Sequence, residues 1–295
     1  MTRKMHSLRC LTALLIVLCM TFLCSFSTFA AGELTPGSVS DIRAENYPTV
    51  PLLRDGVRFD VDARLIEETT YVPLRNFCDT VTDCTVGWNA KTRTASVTAE
   101  GLTLTAADRS HYLVANGRYL YTWNPIIVLS NGTMYVPVRI LAKALGVDIT
   151  WDVDTRSVTV SGSYDPILSG DKYYNADSVY WLSRIISSES QGEPLLGQIA
   201  VGNVVLNRVK SPDYPNTIYG VIFDRKYGVQ FSPVLYGTIY NTPYYLSVIA
   251  AKICLEGTTV DTRILYFFDP TQSTSFWISE NCKFAFRIQS HHFYY

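Results

Sequence analysis

Thr70-Tyr71-Val72-Pro73-Leu74-Arg75 and, roughly 64 residues later, Met134-Tyr135-Val136-Pro137-Val138-Arg139 share one short grammar. Each run is followed by a tryptophan and a turn: Trp88-Asn89 before Thr92-Arg93-Thr94-Ala95-Ser96-Val97, then Trp151-Asp152 before Thr155-Arg156-Ser157-Val158-Thr159-Val160. In both, an apolar strand stops at a proline, which lacks the N–H that a ladder needs. A helix comes next, clearest over Val138 to Leu145, with Gly146 as its stop. The Trp strand then turns at Asn or Asp and returns with alternating polarity. Two such units are expected to pack together, because one alone buries too little apolar surface.

The pattern spans about Tyr47 to Gly162 and resembles the copper amine oxidase N-terminal-like module. The resemblance implies a wall-associated accessory of an exported protein, serving either as a binding module or as a spacer. It does not imply copper chemistry. His111 is the histidine of this stretch, and no cluster of His, Cys or Met accompanies it.

Outward from the repeat, composition sets broad limits. The chain has 295 residues, 47% of them hydrophobic and 17% charged, which suits a folded protein of one large or two ordinary domains. A formal charge of -1 gives no reason to expect nucleic acid, whose binding relies on concentrated Lys and Arg. Residues 1–30 read as an export signal. Arg3, Lys4 and Arg9 precede an uncharged apolar run from Leu11 to Met20, and Thr28-Phe29-Ala30 supplies the small residues for cleavage. A retained membrane anchor is the alternative, whereas Cys24 lacks the small residues expected before a lipidated cysteine. Without the three basic residues of the signal, 22 bases face 26 acids, a net charge of -4. The expected location is secreted or extracytoplasmic, at a cell wall or spore. Four cysteines remain outside the signal. Cys78–Cys84 with Cys254–Cys282 is the simplest of three disulfide connectivities, and free buried thiols are the alternative.

The stretch from Ser161 to Ala176 breaks the alternation with Gly162, Pro166 and Gly170. It places a linker at 163–176 before a second domain at 177–295. Asp177 is a good N-cap, and Val179, Leu182, Ile185 and Ile186 follow at helical spacing. Glu189 continues that stripe, seven residues after Leu182. A carboxylate on an inward face is costly, so desolvation should raise its pKa and keep a proton available for general acid catalysis. The alternative is a glutamate at a helix end that reaches solvent. Gly192 and Pro194 break this helix, and Ile199 to Val209 form a second, buried one, with Ala200 and Gly202 permitting close helix contact. Asn207 and Arg208 at its end suit either capping or substrate contact. A third helix is expected from Pro243 to Glu256 and a strand from Ile264 to Phe268.

Residues from about Asp177 onward resemble the cell wall hydrolase family typified by the spore cortex-lytic enzymes. The match is carried by Ser188-Glu189-Ser190-Gln191-Gly192-Glu193 and by Ala200-Val201-Gly202-Asn203-Val204-Val205-Leu206-Asn207-Arg208-Val209. Pro215-Asn216-Thr217-Ile218-Tyr219, Gln230-Phe231-Ser232, Leu265-Tyr266-Phe267 with Asp269-Pro270, Trp277, and the closing His291, Phe293 and Tyr294 follow in order. The resemblance implies cleavage of peptidoglycan glycan strands, with Glu189 in the position of the catalytic glutamate. Serines flank Glu189 where the family has alanines, Gln191 replaces an arginine, and Gln289 stands where a glycine is usual. Loss of that arginine should leave the Glu189 pKa higher.

The whole reads as an α+β protein of two domains: a duplicated β/α module, then a mainly helical, lysozyme-like catalytic domain with a small sheet. One acid acting alone favours a lytic transglycosylase, in which the muramic C6 hydroxyl replaces water. A hydrolase needs a second carboxylate, and Glu193 is the nearby candidate. Glu193 is expected instead to order the loop, through backbone or Asn207. Gln230, Phe231, Tyr266 and Trp277 are candidate groove walls, each with a core-packing alternative. His291 either reaches across the site or ties down the C-terminus. No metal or organic cofactor is implied, since His291 and His292 lack an acidic or Cys partner at ligand spacing. Amidase or peptidase chemistry lacks its usual zinc set or Cys–His pair, and a non-catalytic wall-binding protein is the reading from another class.

Overall fold

Pro73 and Pro137 each close a strand and open a helix, and this local rule organises the front half of the structure. The computed structural model describes residues 43–226, 228–273 and 275–295. The export signal read at 1–30 lies outside them. Strand Thr69–Pro73 runs into helix Leu74–Val81, and strand Met134–Pro137 into helix Val138–Leu145. The second helix buries Val138, Leu141, Ala142 and Leu145, the i, i+3, i+4 and i+7 positions of one face. Gly146 ends it with φ +70°, and a Cβ there would collide with the Asp165 carbonyl.

The two proline-ended strands pair with each other, antiparallel. Tyr71 faces Pro137, Val72 faces Val136, and Pro73 faces Tyr135, so the register is symmetric about the two valines. Arg64–Ile66 and Ile127–Val128 flank this pair in a four-stranded sheet. The tryptophan strands then diverge. Cys84–Asn89 leads a five-stranded meander that ends at Arg118–Tyr121. Asp148–Asp152 pairs with Ser157–Ser161, which also runs parallel to Leu52–Arg54 from far earlier in the chain.

In the back half, helices Ala176–Ser190, Leu195–Lys210 and Tyr245–Leu255 enclose a core that includes Leu182, Ile185, Ile186, Val201, Val204 and Ile253. Gly202 is where the first and third of these helices close on the second: an added Cβ would lie 2.7 Å from Cys254 Sγ and 2.8 Å from Ile186 Cδ1. A three-stranded sheet covers one side, with His291–Tyr294 between Tyr266–Phe268 and Phe284–Ile288. No helix among the described residues is long and apolar enough to cross a membrane.

Several expectations change. Asn175, not Asp177, caps the first back-half helix, its side chain accepting from Ser178 N at 2.9 Å. Both residues are good caps, and the earlier one meets the free amide. The third helix begins at Tyr245 rather than Pro243, and the strand at Tyr266 rather than Ile264. Cys78, Cys84, Cys254 and Cys282 are free thiols, so neither expected disulfide is formed. Cys254 is buried against the Leu195–Lys210 helix and donates to Ile199 O at 3.4 Å. Close spacing in sequence does not supply the Cβ geometry that a disulfide requires.

The front meander is clamped to the back helices. Arg118 donates twice to the Glu256 carboxylate, both at 2.7 Å, Lys143 adds a contact at 3.0 Å and the Tyr174 hydroxyl one at 2.9 Å. Burial alone would raise the Glu256 pKa, but the hydrogen bonds from Arg118, Lys143 and Tyr174 outweigh it and hold the carboxyl below its usual range. Tyr112, Tyr119 and Tyr121 of the meander also pack on the back-half core.

Candidate active site

Glu189 lies in the last turn of Ala176–Ser190, on the stripe that begins with Leu182 and Ile186. Ser190 ends the helix and Gln191 and Gly192 leave it, so the carboxyl stands at a helix end beside a turn. Its flanking serines are occupied: Ser188 Oγ donates to Thr238 O at 3.1 Å and Ser190 Oγ to Ile186 O at 2.7 Å. The Glu189 carboxyl itself is partly buried and has no hydrogen-bond partner among the described residues. Burial raises its pKa to about 7, with Arg208 pulling in the opposite direction. At neutral pH such a group carries a proton roughly half the time, as a general acid requires.

Arg208 is the residue whose role the sequence reading undervalued. It is the positive neighbour that the Gln191 substitution seemed to remove, supplied instead by the Leu195–Lys210 helix. Its Nε donates to Leu265 O at 2.8 Å, while Nη1 has no partner among the described residues. Aromatic rings surround the guanidinium: it lies 5.0 Å from the centroid of Tyr214, 5.2 Å from Phe231 and 5.5 Å from Tyr266. These ring faces compensate part of the cost of burying the charge. Its spacing of one residue after Asn207 was the available signal, but spacing does not show which way the guanidinium turns.

Replacing Arg208 with glutamine removes the one influence that lowers the Glu189 pKa. The basic limb of the activity profile should then move upward from about pH 7, by on the order of one unit for a partly screened charge at close range. A pH–rate series on the two proteins checks this; an unmoved limb would show that the two side chains are not coupled.

The other candidates separate into two groups. Tyr266 accepts from the Tyr214 hydroxyl at 3.1 Å, and Trp277 sits 6.3 Å from Tyr266, 55% exposed. These two form an accessible aromatic wall beyond Arg208. Phe231 is 3% exposed and packs on Phe267, so it supports that wall from inside and offers no face to a ligand. Gln230, in the preceding loop, donates to Gly228 O at 3.3 Å. Trp181, Tyr219, Phe223 and Tyr240 form a further edge-to-face cluster on the Glu189 helix, which the sequence reading did not identify.

Glu193 belongs to a latch. Its buried carboxylate accepts from Ser290 Oγ and lies 3.2 Å from His291 Nδ1. Its backbone N–H donates to Ser190 O at 2.9 Å, and its carbonyl accepts from Gln198 at 3.0 Å. Gln289 adds a bond to Gly192 O while holding φ +44°, the left-handed conformation that favours glycine. The turn after Glu189 is thus fastened to the last hairpin. The expected partner Asn207 is not involved: it donates to Asp261 O and Ile264 O, both at 2.9 Å, and anchors the segment before the Tyr266 strand. His291 faces Glu193 and the edge of Phe267, tying the C-terminal strand into place.

Residues 192–294 match the family described as Cell Wall Hydrolase, and residues 54–160 match the Copper amine oxidase N-terminal domain. The back half carries a cell wall hydrolase domain. Glu189 lies just before the matched stretch of that domain. Among curated relatives, a spore cortex-lytic enzyme of Bacillus cereus is 39% identical over 105 residues, covering 36% of this chain and 39% of the relative. That of Bacillus subtilis is 34% identical over 105 residues, covering 36% and 33%. The chain therefore spans about two-fifths or less of the length of these relatives. The solved catalytic domain of the germination-specific lytic transglycosylase SleB from Bacillus anthracis is 35% identical, with all of that domain and 44% of this chain covered, at a TM-score of 0.38. For the Bacillus cereus SleB catalytic domain the identity is 36%, the coverage 92% of that domain and 41% of this chain, and the TM-score 0.37. The helix end bearing Glu189 adjoins the Arg208 aromatic box and the Glu193 latch, whose residues Glu193 and Arg208 fall within the matched stretch.

Proposed function

We propose that this protein cleaves the glycan strands of peptidoglycan, in a cell wall or spore cortex, as a lytic transglycosylase. The observation that carries this reading is the division of labour between two carboxyls. Glu189 is desolvated, without a hydrogen-bond partner among the described residues and protonated near neutrality, while Glu193 is buried in the latch, its Oε1 accepting from Ser290 and lying 3.2 Å from His291 Nδ1. One working carboxyl suits a reaction that needs no second one to activate water.

Glu189 donates its proton to the glycosidic oxygen as the bond from that oxygen to the muramic anomeric carbon breaks, and the bonding electrons stay with the oxygen. The departing sugar leaves as an alcohol. The carboxylate thus formed stabilises the oxocarbenium-like centre, then accepts the proton of the muramic C6 hydroxyl as that oxygen bonds to the anomeric carbon. The product is a 1,6-anhydro end, and Glu189 regains its starting proton. Arg208 tunes the acid, the latch holds the turn beside it, and Tyr266 and Trp277 offer surfaces to the strand. The resemblance of the back half to spore cortex-lytic enzymes supports the same substrate class.

In this reading, residues 47–162 form a duplicated β/α module, 163–176 a linker and 177–295 a lysozyme-like catalytic domain. The symmetric register about Val72 and Val136 supports the duplication. An exported protein whose front module associates with the wall fits the pairing of the two families. Digestion of purified peptidoglycan followed by mass spectrometry tests the activity. Muropeptides with anhydro-muramic ends are expected, lighter by one water than hydrolysis products. Reducing ends would assign a lysozyme-type hydrolase, and free stem peptides would exclude glycan cleavage.

A further inference from the structure

A cavity of about 610 Å³ opens in the front half, lined entirely by residues between Leu65 and Val158 and therefore separate from Glu189. Its volume falls within the range of small-ligand sites. Two indoles border it: Trp123, 56% exposed, and Trp151, 37% exposed. Tyr121 meets Trp123 edge-on at 5.4 Å between ring centroids and fixes its plane. Asn124 donates to Glu67 O at 3.2 Å and to Thr69 Oγ1 at 2.7 Å, which joins the segment carrying Trp123 to the opposite wall. Glu68 and Arg139 are exposed on the lining, and neither makes an ion pair among the described residues.

We infer that this cavity is a second glycan site, which binds a strand of N-acylated amino sugars bearing carboxylates. Exposed, pre-oriented indoles beside uncommitted polar groups are what a pyranose ring needs. Its C–H face is apolar and stacks on an aromatic plane, while its rim hydroxyls and amides seek hydrogen bonds. Core burial would have hidden the indoles, and a hydrophobic protein interface would not leave a bare acid and a bare base on its lining. Arg139 suits the carboxylate of a lactyl ether or stem peptide, and Glu68 accepts from an acetamido N–H or a hydroxyl. The choice of ligand rests on the proposed glycan cleavage. If both sites take the same polymer, the second raises the local concentration of strand at Glu189 and keeps the enzyme on an insoluble substrate. The Arg118–Glu256 clamp then fixes the span between the two sites.

The test uses the full chain in a Glu189→Gln background, so that insoluble peptidoglycan stays intact while retention is measured. Trp123→Ala and Trp151→Ala should each weaken retention about tenfold, and Arg139→Gln should weaken it for stem-bearing glycan but not for chitin oligomers. Trp88→Ala is the control, since Trp88 is 47% exposed but lies outside the cavity. Unchanged retention in both cavity variants overturns the site, as does an equal loss in the Trp88 control. If a cavity variant fails to fold by thermal unfolding, muropeptide quenching of tryptophan fluorescence decides the matter in a parent that also carries Trp277→Phe, so that the catalytic groove gives no tryptophan signal: saturable quenching supports the site, and none overturns it. Binding is scored on intact wall, so a wild type that releases no fragments defeats the catalytic proposal without erasing this result.

Discussion

Replacing Glu189 with glutamine should lower glycan cleavage by about a thousandfold or more, because glutamine keeps the shape of the side chain but has no transferable proton. The same substitution should stabilise the protein at alkaline pH. In the folded state Glu189 binds its proton up to about pH 7, whereas in the unfolded chain the group titrates near the model value of 4.5. Between those values the folded state holds more proton than the unfolded one, so stability falls as pH rises through the window. Above it, the native protein carries a penalty on the order of 2–3 kcal/mol that glutamine does not incur. Denaturant melts of both proteins at about pH 5 and about pH 8 should therefore diverge only at the higher value. Activity lost together with stability gained separates a proton donor from a residue that merely supports the fold. A variant that is inactive and also less stable at alkaline pH would assign Glu189 a structural role.

Glu256→Ala should be the most destabilising of the single substitutions considered. It leaves the Arg118 guanidinium buried over the Tyr173 ring, 3.3 Å beneath it, with no carboxylate to pair with. Breaking a buried pair by removing one partner costs about 3–5 kcal/mol, much of it the desolvation of the stranded charge. In a chain of this size that is a fall of about 10 °C in Tm. The double variant Arg118→Met with Glu256→Leu should recover most of the loss, since it leaves no orphaned charge. Calorimetry of the three proteins checks this. A Glu256→Ala protein that melts with the wild type would mean that the clamp contributes nothing to joining the front meander to the back helices.

What could be read from the chain follows how local each physical cause is. Helix Val138–Leu145 and its Gly146 stop depend on neighbours within a few residues, and they stand where the pattern puts them. Glu189 was legible for the same reason: a helical stripe needs only its own period. The long-range pairings were not legible. Leu52–Arg54 finds Ser157–Ser161 across about a hundred residues, and nothing in either strand names the other. The latch is of this kind too, because Glu193 and Ser290 meet only after the last hairpin folds back. Asn207 illustrates the limit from the other side. Its place near the helix end suggested capping or substrate contact, but its partners, two backbone carbonyls near the Tyr266 strand, belong to a loop about 55 residues onward. The cysteine pairing failed because spacing carries no information on side-chain direction.

The proton on Glu189 is tested most directly by the pH dependence of anhydro-muropeptide release, measured as initial rate from about pH 5 to about pH 9. The wild-type rate should fall as pH rises through about 7, approaching tenfold per unit beyond it, with the Glu189→Gln rate negligible throughout. A wild-type rate that stays level across that limb, or a glutamine variant that releases anhydro products at a comparable rate, would contradict it.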